Sequence, residues 1–214
     1  DNHRDLQDAF DSRSLADRLE QMIVLTSINE ADAAFIQSRQ FFFLSSVDHE
    51  GQPTVSFKGG AAGFVKVIDE TTIAFPSYDG NGMYYSLGNM RGDEKIGMLF
   101  LDFEKPHRIR FHGKATVNAD DPLLAEYPEA QLIVRVSLTK MWVNCPGYIP
   151  IMTKQADSKF IPDAGKQTPL PAWKRIDAMQ DVLPKNDQQL VANGPGVIKA
   201  EDYPAALEGD KDPD

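Results

Sequence analysis

The chain of 214 residues is 42% hydrophobic and 25% charged, the composition of an ordinary soluble protein with one substantial domain or one domain with appendages. Its formal net charge of −10 argues against nucleic acid and anionic membranes as partners, because a surface this acidic repels phosphate groups. No segment approaches the roughly 20 apolar residues of a membrane helix, the polar start shows no signal peptide, and the single cysteine, Cys145, suits a reducing compartment. We therefore expect a cytoplasmic protein that contacts neither nucleic acid nor membrane.

The sequence pattern predicts three regions in chain order. Residues 1–40 form an N-terminal helical segment, in which Ser14 caps one helix and Asn29 caps a second. Residues 41–145 form a β core. Residues 146–214 form an extended, proline-rich arm with a short helix and a loosely held acidic end.

The β core is predicted from short apolar or alternating runs with turn signals between them. The expected strands are 41–47, 54–58, 64–68, 72–75, 96–103, 108–117 and 132–143. Short helices are expected at 82–90 and around 173–182. Strands of this length and spacing favour a meander or a small antiparallel barrel, so we expect a mainly β fold with N-terminal helices.

The first segment that could carry chemistry is a strand that ends in Lys58 and runs into glycines. Small residues let a ligand approach the backbone, and the Lys58 ammonium could neutralise a phosphate. Alternation places Lys58 with Thr54 and Ser56 on one face, and Val55 and Phe57 on the other. A solvated lysine before a loop explains the same pattern equally well.

The second segment is a glycine-containing loop before the helix expected at 82–90. Asn81 is the expected N-cap and Gly82 the first helical residue, so the free N–H groups of the first turn would form an anion site. The loop matches neither the dinucleotide-binding fingerprint nor a P-loop, and many ordinary loops end in this way.

The third segment, residues 107–113, alternates basic and apolar side chains. Arg108, Arg110 and His112 share one face of the expected strand, either as a solvent-facing polar stripe or as a basic stripe facing a ligand. The four histidines lack zinc-ligand spacing, so no metal site is predicted. Cys145 has no histidine base nearby in sequence, which favours a structural role over a nucleophilic one.

Taken together, these segments resemble the FMN-binding pyridoxamine 5'-phosphate oxidase-like family. The resemblance lies in Ser56-Phe57-Lys58-Gly59-Gly60, in Gly80-Asn81-Gly82-Met83, in Arg108-Ile109-Arg110-Phe111-His112-Gly113, and in residues 43–48, 75–76, 86–89, 97–103, 144–149 and 171–175. It spans about residues 30–185. It implies a split β-barrel, an antiparallel Greek-key-like barrel that forms a homodimer with one FMN at each subunit interface.

The resemblance also implies which residues bind the flavin phosphate. Ser56, Phe57 and Lys58 would flank the cofactor, with Lys58 on the phosphate. Asn81, Gly82 and Met83 would present the helix N-terminus to the phosphate, and Ser86 would add a hydroxyl.

The flavin ring would be held by other parts of the chain. Phe75 and Pro76 would lie along the flavin edge, and Arg108 would lie near the ring. Trp173 would reach the cofactor from the tail. Since hydride chemistry belongs to the flavin, no nucleophile or acid–base pair need be visible in the sequence.

The chain departs from the true oxidase at two places. An Arg-Lys pair at the helix start is replaced by Gly82-Met83, and the C-terminal Arg-x-x-x-x-Trp ending that grips pyridoxal phosphate is absent. Both departures argue against the vitamin B6 reaction but leave FMN binding intact. We expect an FMN-dependent oxidoreductase of a small molecule, with NAD(P)H as a candidate electron donor. The alternatives are a non-catalytic flavin carrier, sensor or stress protein and, more weakly, a haem-binding split barrel.

Overall fold

The computed structural model describes residues 2–211 of the chain. The chain divides into two compact units, Asp1–Thr153 and Lys154–Asp214. The first unit contains the β-sheet, and we describe each unit by itself.

The first unit is built on one seven-stranded antiparallel sheet. Its strands are β1 (Phe41–Val47), β2 (Pro53–Gly59), β3 (Lys66–Asp69), β4 (Thr72–Ser77), β5 (Lys95–Asp102), β6 (His107–Asn118) and β7 (Leu132–Val143). They are ordered β2-β1-β5-β6-β7-β4-β3, and the sheet does not close into a full barrel. The split β-barrel expected from the sequence is confirmed.

Strand alternation places large apolar side chains on one face of the sheet, which we call the inner face. Phe42 and Leu44 of β1, Phe100 of β5, and Ile109 and Phe111 of β6 are all buried there. Phe42 is packed against three further aromatic rings, with centroid distances of 4.9 to 5.8 Å. These contacts form the core that holds the strands in register.

The helices of the first unit are α1 (Asn2–Ala9), α2 (Arg13–Ile23), α3 (Glu30–Ser38) and α4 (Tyr85–Gly92). The cap predicted at Asn29 is confirmed, because its side chain accepts a hydrogen bond of 2.8 Å from the Asp32 N–H. The cap predicted at Ser14 is wrong: α2 begins at Arg13, and Ser12 precedes it without a side-chain capping bond. No helix in residues 2–211 is long and apolar enough to cross a membrane.

The second unit has no helix or strand over residues 154–171, and helical elements follow from Ala172 onwards. It contains 3-10 turns at Ala172–Arg175, Asp177–Met179 and Ala200–Asp202, and the helices α5 (Lys185–Asn193) and α6 (Tyr203–Lys211). The single helix expected at 173–182 is broken at Ile176, whose ψ of 132° interrupts the helical path. The prediction of a loosely held acidic end is also wrong as far as Lys211, because helix α6 forms there. Residues 212–214 lie outside the described part of the chain.

Candidate functional site

The candidate site lies where α4 crosses the inner face of strands β1 and β2. In the sheet register Lys58 is opposite Phe42, Ser56 is opposite Leu44, and Thr54 is opposite Ser46. The side chains of Thr54, Ser56 and Lys58 therefore form a row on the inner face, which we call the polar row.

Helix α4 is bound to the polar row by side-chain hydrogen bonds. The Ser56 and Ser86 hydroxyl oxygens lie 3.0 Å apart, and Asn89 Nδ2 donates to Thr54 Oγ1 at 3.3 Å. Asn89 also donates to Ser46 Oγ at 3.1 Å. Thr54 thus meets the middle of α4 and Ser56 meets its first turn, so the row continues at Lys58 towards the N-terminal end of the helix.

Lys58 is half-buried, and this burial lowers the pKa of its ammonium group. It makes no ion pair with any residue from 2 to 211. A partly desolvated cation without a counter-charge is unfavourable, and an anionic group bound beside it would relieve that cost.

The loop before α4 differs from the sequence expectation. The helix begins at Tyr85 rather than Gly82, so Asn81, Gly82 and Met83 precede it and the free first-turn N–H groups start at Tyr85. Asn81 caps the loop instead of the helix: its Oδ1 accepts from the Met83 N–H at 3.1 Å. Gly82 has a φ of 74°, a left-handed conformation that side chains disfavour. The loop residues still lie next to the start of α4, and their contact with a phosphate stays a prediction.

The same loop is tied to the start of β7 through a tyrosine in a rare backbone conformation. Tyr84 has a φ of 50°, and its hydroxyl donates to Gln131 Oε1 at 2.9 Å. Gln131 Nε2 in turn donates to Asp79 Oδ1 at 3.3 Å. These two bonds join both ends of the loop, at Asp79 and Tyr84, to Gln131 directly before β7. The sequence analysis did not predict them.

Phe57 lies on the opposite face of the sheet, which we call the outer face. It is 62% exposed, and its neighbour on that face, Val55, is 71% exposed. The expected alternation along β2 is confirmed, but the polar side chains face the helix while the apolar ones are exposed. The Phe57 ring stacks on Phe41 at 5.4 Å between centroids, and one row of the outer face runs through Phe57, Phe43, Leu99, Arg110 and Trp142.

Arg108 also lies on the outer face, opposite Leu101 of β5. Its Nε atom is buried and has no hydrogen-bond partner within the described residues, and the same holds for Asn144 Oδ1. The two residues are adjacent, because the Asn144 N–H donates to the Arg108 carbonyl at 3.4 Å. A buried donor without a partner is costly, which suits a group that hydrogen-bonds a ligand.

The remaining predicted residues are not gathered with the polar row. Phe75 and Pro76 are buried in the core, where the Phe75 ring packs against Phe42 at 4.9 Å. A side-chain contact between Phe75 and a flavin is therefore not supported, and only the backbone there could line a cofactor. Trp173 lies in the second unit, in the turn Ala172–Arg175, and its role in the site stays a prediction.

The structure thus joins Ser56 to Ser86 at the first turn of α4, which follows the loop of Asn81 to Met83, and places Lys58 two residues after Ser56 on the same face of β2. Two members of the same cluster were missed, Thr54 and Asn89. Their spacing could have identified them, because Asn89 lies three residues after Ser86 on a helix and Thr54 lies two residues before Ser56 on a strand. In residues 2–211 no group of three or more metal-ligating side chains is close enough to hold a metal ion.

Known structures resemble this fold at low sequence identity. A pyridoxamine 5'-phosphate oxidase homologue from Lactobacillus delbrueckii is 22% identical, covering 56% of this chain and 99% of its own, with a TM-score of 0.45. An FMN-binding protein from Syntrophomonas wolfei is 13% identical, covering 65% and 97%, with a TM-score of 0.42. The heme storage protein HutZ from Vibrio cholerae is 14% identical, covering 54% and 94%, with a TM-score of 0.41. These similarities are too low to transfer a function.

Sequence comparison is more decisive. No curated protein sequence matches the chain. The sequence model of the pyridoxamine 5'-phosphate oxidase family, however, matches residues 28–165, which is well over half of the 214 residues. The chain therefore belongs to the pyridoxamine 5'-phosphate oxidase family.

Proposed function

We propose that this protein binds FMN between two copies of the chain and acts as an FMN-dependent oxidoreductase of a small molecule. The observation that carries the proposal is Lys58, a half-buried cation without an ion-pair partner in the described residues, two residues after Ser56, which contacts the first turn of α4. Together with family membership, this favours a phosphorylated cofactor. A cytoplasmic location is part of the proposal and rests on the lone Cys145.

The phosphate end of FMN fits the polar row. Lys58 supplies the charge, Ser56 and Ser86 supply hydroxyl groups, and α4 supplies free N–H groups from Tyr85 onwards. The chain is acidic overall, with a net charge of −10, so a local cation is needed to hold a phosphate against the general field.

A second copy is needed because the candidate residues lie on opposite faces of the sheet. Lys58 and Ser56 are on the inner face, whereas Arg108 and Phe57 are on the outer face. Residues on opposite faces of one sheet do not readily contact one ligand, but the edge strand β2 of one copy, which carries Lys58 and Ser56, can meet the outer face of another. The exposed Phe57 and Val55 suit a surface that is buried in a homodimer.

The flavin, when bound, supplies hydride or electron transfer, with NAD(P)H as a candidate donor and oxygen as a candidate acceptor. The protein's part is to hold the phosphate at Lys58, to place the ring near Arg108, and to exclude water from the ring through apolar groups such as Phe57. We propose no acid or base among these residues, because the reaction class does not require one.

The visible spectrum of the purified protein tests the cofactor, and anaerobic mixing with NADH and NADPH tests turnover. A flavin spectrum that bleaches on mixing supports the oxidoreductase. A flavin spectrum that does not respond to either nucleotide, or to oxygen after chemical reduction, favours a carrier, sensor or stress protein. A haem spectrum, with no uptake of FMN, would overturn the proposal.

A further inference from the structure

Two groups of side-chain hydrogen bonds join helix α4 to strands β1 and β2. The first group, which we call the asparagine network, consists of Asn89 of α4, Ser46 of β1 and Thr54 of β2. The second group, the serine pair, consists of Ser86 of α4 and Ser56 of β2. Ser86 and Asn89 are three residues apart on the helix, so both groups lie on the same side of α4.

The asparagine network is complete within itself. The Asn89 amide donates to Ser46 Oγ at 3.1 Å and to Thr54 Oγ1 at 3.3 Å. Those two hydroxyl oxygens are 3.0 Å apart, and Thr54 Oγ1 also donates to the Ser46 carbonyl at 3.4 Å. With Thr54 donating to the carbonyl and the Ser46 hydroxyl donating to Thr54, each proton of the network has an acceptor. The burial of Ser46 therefore leaves no unmade hydrogen bond.

The serine pair, by contrast, has one proton more than it has acceptors. The Ser56 and Ser86 hydroxyl oxygens are 3.0 Å apart, and either of them can donate to the other. Whichever donates, the O–H of the other has no acceptor among residues 2–211. Ser86 is buried, so an unmade hydrogen bond is costly there. An oxyanion beside the pair would accept the spare proton, and Lys58 continues the same row two residues beyond Ser56.

The rotation of α4 about its axis decides where the serine pair lies. Leu87 and Met90 are buried in the core and hold the helix against the sheet. Apolar contact is non-directional, so it fixes the depth of the helix better than its rotation. Hydrogen bonds are directional, and the two bonds from Asn89 reach one acceptor on β1 and one on β2. They therefore favour the one rotation of α4 that brings Ser86 to Ser56.

We propose that Asn89 is a positioning residue of the phosphate site. Its bonds to Ser46 and Thr54 fix the rotation of α4, so that the spare proton of the serine pair is directed to the phosphate bound at Lys58. This inference rests on the proposed function, and it adds a residue that distinguishes FMN from riboflavin without contacting either of them.

Asn89→Leu tests the proposal, because leucine has nearly the shape of asparagine but makes no side-chain hydrogen bond. We expect FMN to bind about tenfold more weakly, the scale of one hydrogen bond to a charged group, and riboflavin to stay within about twofold of the wild type. Ser56→Ala with Ser86→Ala removes the serine pair and should have the same two effects. Because Asn89 acts through that pair, adding Asn89→Leu to the serine variant should weaken FMN binding no further. An additive loss, or an unchanged preference for FMN in Asn89→Leu, would overturn the proposal.

Substitutions of Thr54 provide a rescue by the conservative variant. Thr54→Val keeps the shape of the side chain but removes one acceptor of Asn89, so it should weaken FMN binding several-fold and leave riboflavin binding unchanged. Thr54→Ser keeps the hydroxyl and should bind FMN like the wild type. Circular dichroism checks that each variant is folded, and if Asn89→Leu is not, the two Thr54 variants decide the question. Equal FMN affinities of Thr54→Val and Thr54→Ser would contradict a role for the network.

Asn29→Leu is the matched control for Asn89→Leu. Asn29 also makes two side-chain hydrogen bonds, both with Asp32, and it caps α3, which carries no residue of the polar row. Its loss should lower the melting temperature about as much as Asn89→Leu but leave the ratio of FMN to riboflavin affinity unchanged. If both asparagine variants change that ratio equally, Asn89 only stabilises the fold and the proposal is wrong.

Inorganic phosphate, titrated by phosphorus NMR, separates this inference from the proposed function. A wild type that binds phosphate but no flavin, together with weaker phosphate binding in Asn89→Leu, supports the role of Asn89 and rejects the cofactor. FMN binding by the wild type with an unchanged FMN preference in Asn89→Leu rejects the role of Asn89 and leaves the cofactor standing. A wild type that binds neither phosphate nor flavin rejects both.

Discussion

At the scale of single residues, Lys58 is a half-buried cation that has no ion-pair partner in the described residues. Arg135, by contrast, is paired with Asp121 at 2.6 Å, and Arg39 is paired with Asp102 at 2.6 Å. Those pairs are explained by the fold, because each carboxylate stabilises its guanidinium. Lys58 has no such explanation within residues 2–211, and a bound phosphate would provide one.

Lys58→Met removes the charge but keeps most of the packing of the side chain. We expect FMN to bind roughly ten- to hundred-fold more weakly, the range for a charge-assisted hydrogen bond of about 1.5–3 kcal/mol. Riboflavin, which lacks the phosphate, should lose almost nothing. The apo protein should become slightly more stable, because a desolvated charge is gone. Fluorescence quenching measures the affinity for each flavin, and thermal melts measure the stability of the apo protein.

Lys95→Met is the matched control, because Lys95 is an exposed lysine on β5 that forms no ion pair in the described residues. It should leave the affinity for both flavins unchanged. If FMN and riboflavin weaken equally in Lys58→Met, or if neither weakens, Lys58 does not bind the phosphate.

The lowered pKa of Lys58 predicts a pH dependence in the alkaline range. Between that lowered pKa and the ordinary value of 10.5, apo Lys58 is largely neutral while the unfolded chain still holds the proton. The stability of the apo protein should therefore rise with pH across this window through this group. FMN binding needs the charged form, so FMN affinity should fall as pH rises through the same window.

Titrations of wild type and Lys58→Met with FMN and with riboflavin isolate this effect. Only the affinity of the wild type for FMN should fall with pH in the way that we attribute to Lys58. The other three combinations of protein and flavin lack the lysine, the phosphate or both. An equal slope in all four pairings would assign the titration to another group.

At the scale of elements, the loop before α4 depends on a conformation that its sequence disfavours. A tyrosine at a φ of 50° costs on the order of 1 kcal/mol, and it persists because the surrounding bonds fix it. The Tyr84 hydroxyl contributes through Gln131, which is bound in turn to Asp79 at the other end of the loop. These bonds therefore hold the backbone that leads into the first turn of α4.

Tyr84→Phe should destabilise the apo protein by about 1 kcal/mol and weaken FMN binding several-fold more than riboflavin binding. The first effect follows from a lost hydrogen bond, and the second from a loosened phosphate loop. Tyr85→Phe is the control, because Tyr85 is exposed and its hydroxyl makes no hydrogen bond within the described part. If both variants behave alike, the bond to Gln131 does not shape the site.

The sequence predicted elements better than it predicted their exposure and their ends. The seven strands follow from alternation and turn residues, and Asn29 caps a helix as its side chain predicts. The exposure of Val55 and Phe57 could not be predicted, because alternation separates the two faces of a strand but does not show which face a helix covers. The start of α4 was placed too early, since the Asn81 side chain bonds the Met83 N–H and so resembles a cap. Helix α6 was missed because its acidic residues resemble those of a disordered end.

At the scale of the whole molecule, the split of candidate residues between two faces gives the dimer a definite arrangement. Lys58 belongs to the inner face and Arg108 to the outer face of the same sheet. If one FMN contacts both, its phosphate is held by one copy and its ring is approached by the other. Substitutions of Lys58 on one chain and of Arg108 on the other would then affect the same site. Substitutions of both residues on one chain would affect different sites.

Mixing Lys58→Met chains with Arg108→Met chains tests this arrangement. Each variant alone should bind FMN weakly at both of its sites. In a heterodimer, Lys58 from one chain meets Arg108 from the other in one site, and both defects gather in the second site. Random pairing therefore restores wild-type affinity to about a quarter of all sites. Co-refolding followed by FMN titration measures that fraction, with each variant refolded alone as the control. If no tight sites appear although heterodimers form, both residues serve a site within one chain, and FMN does not join the two copies in this way.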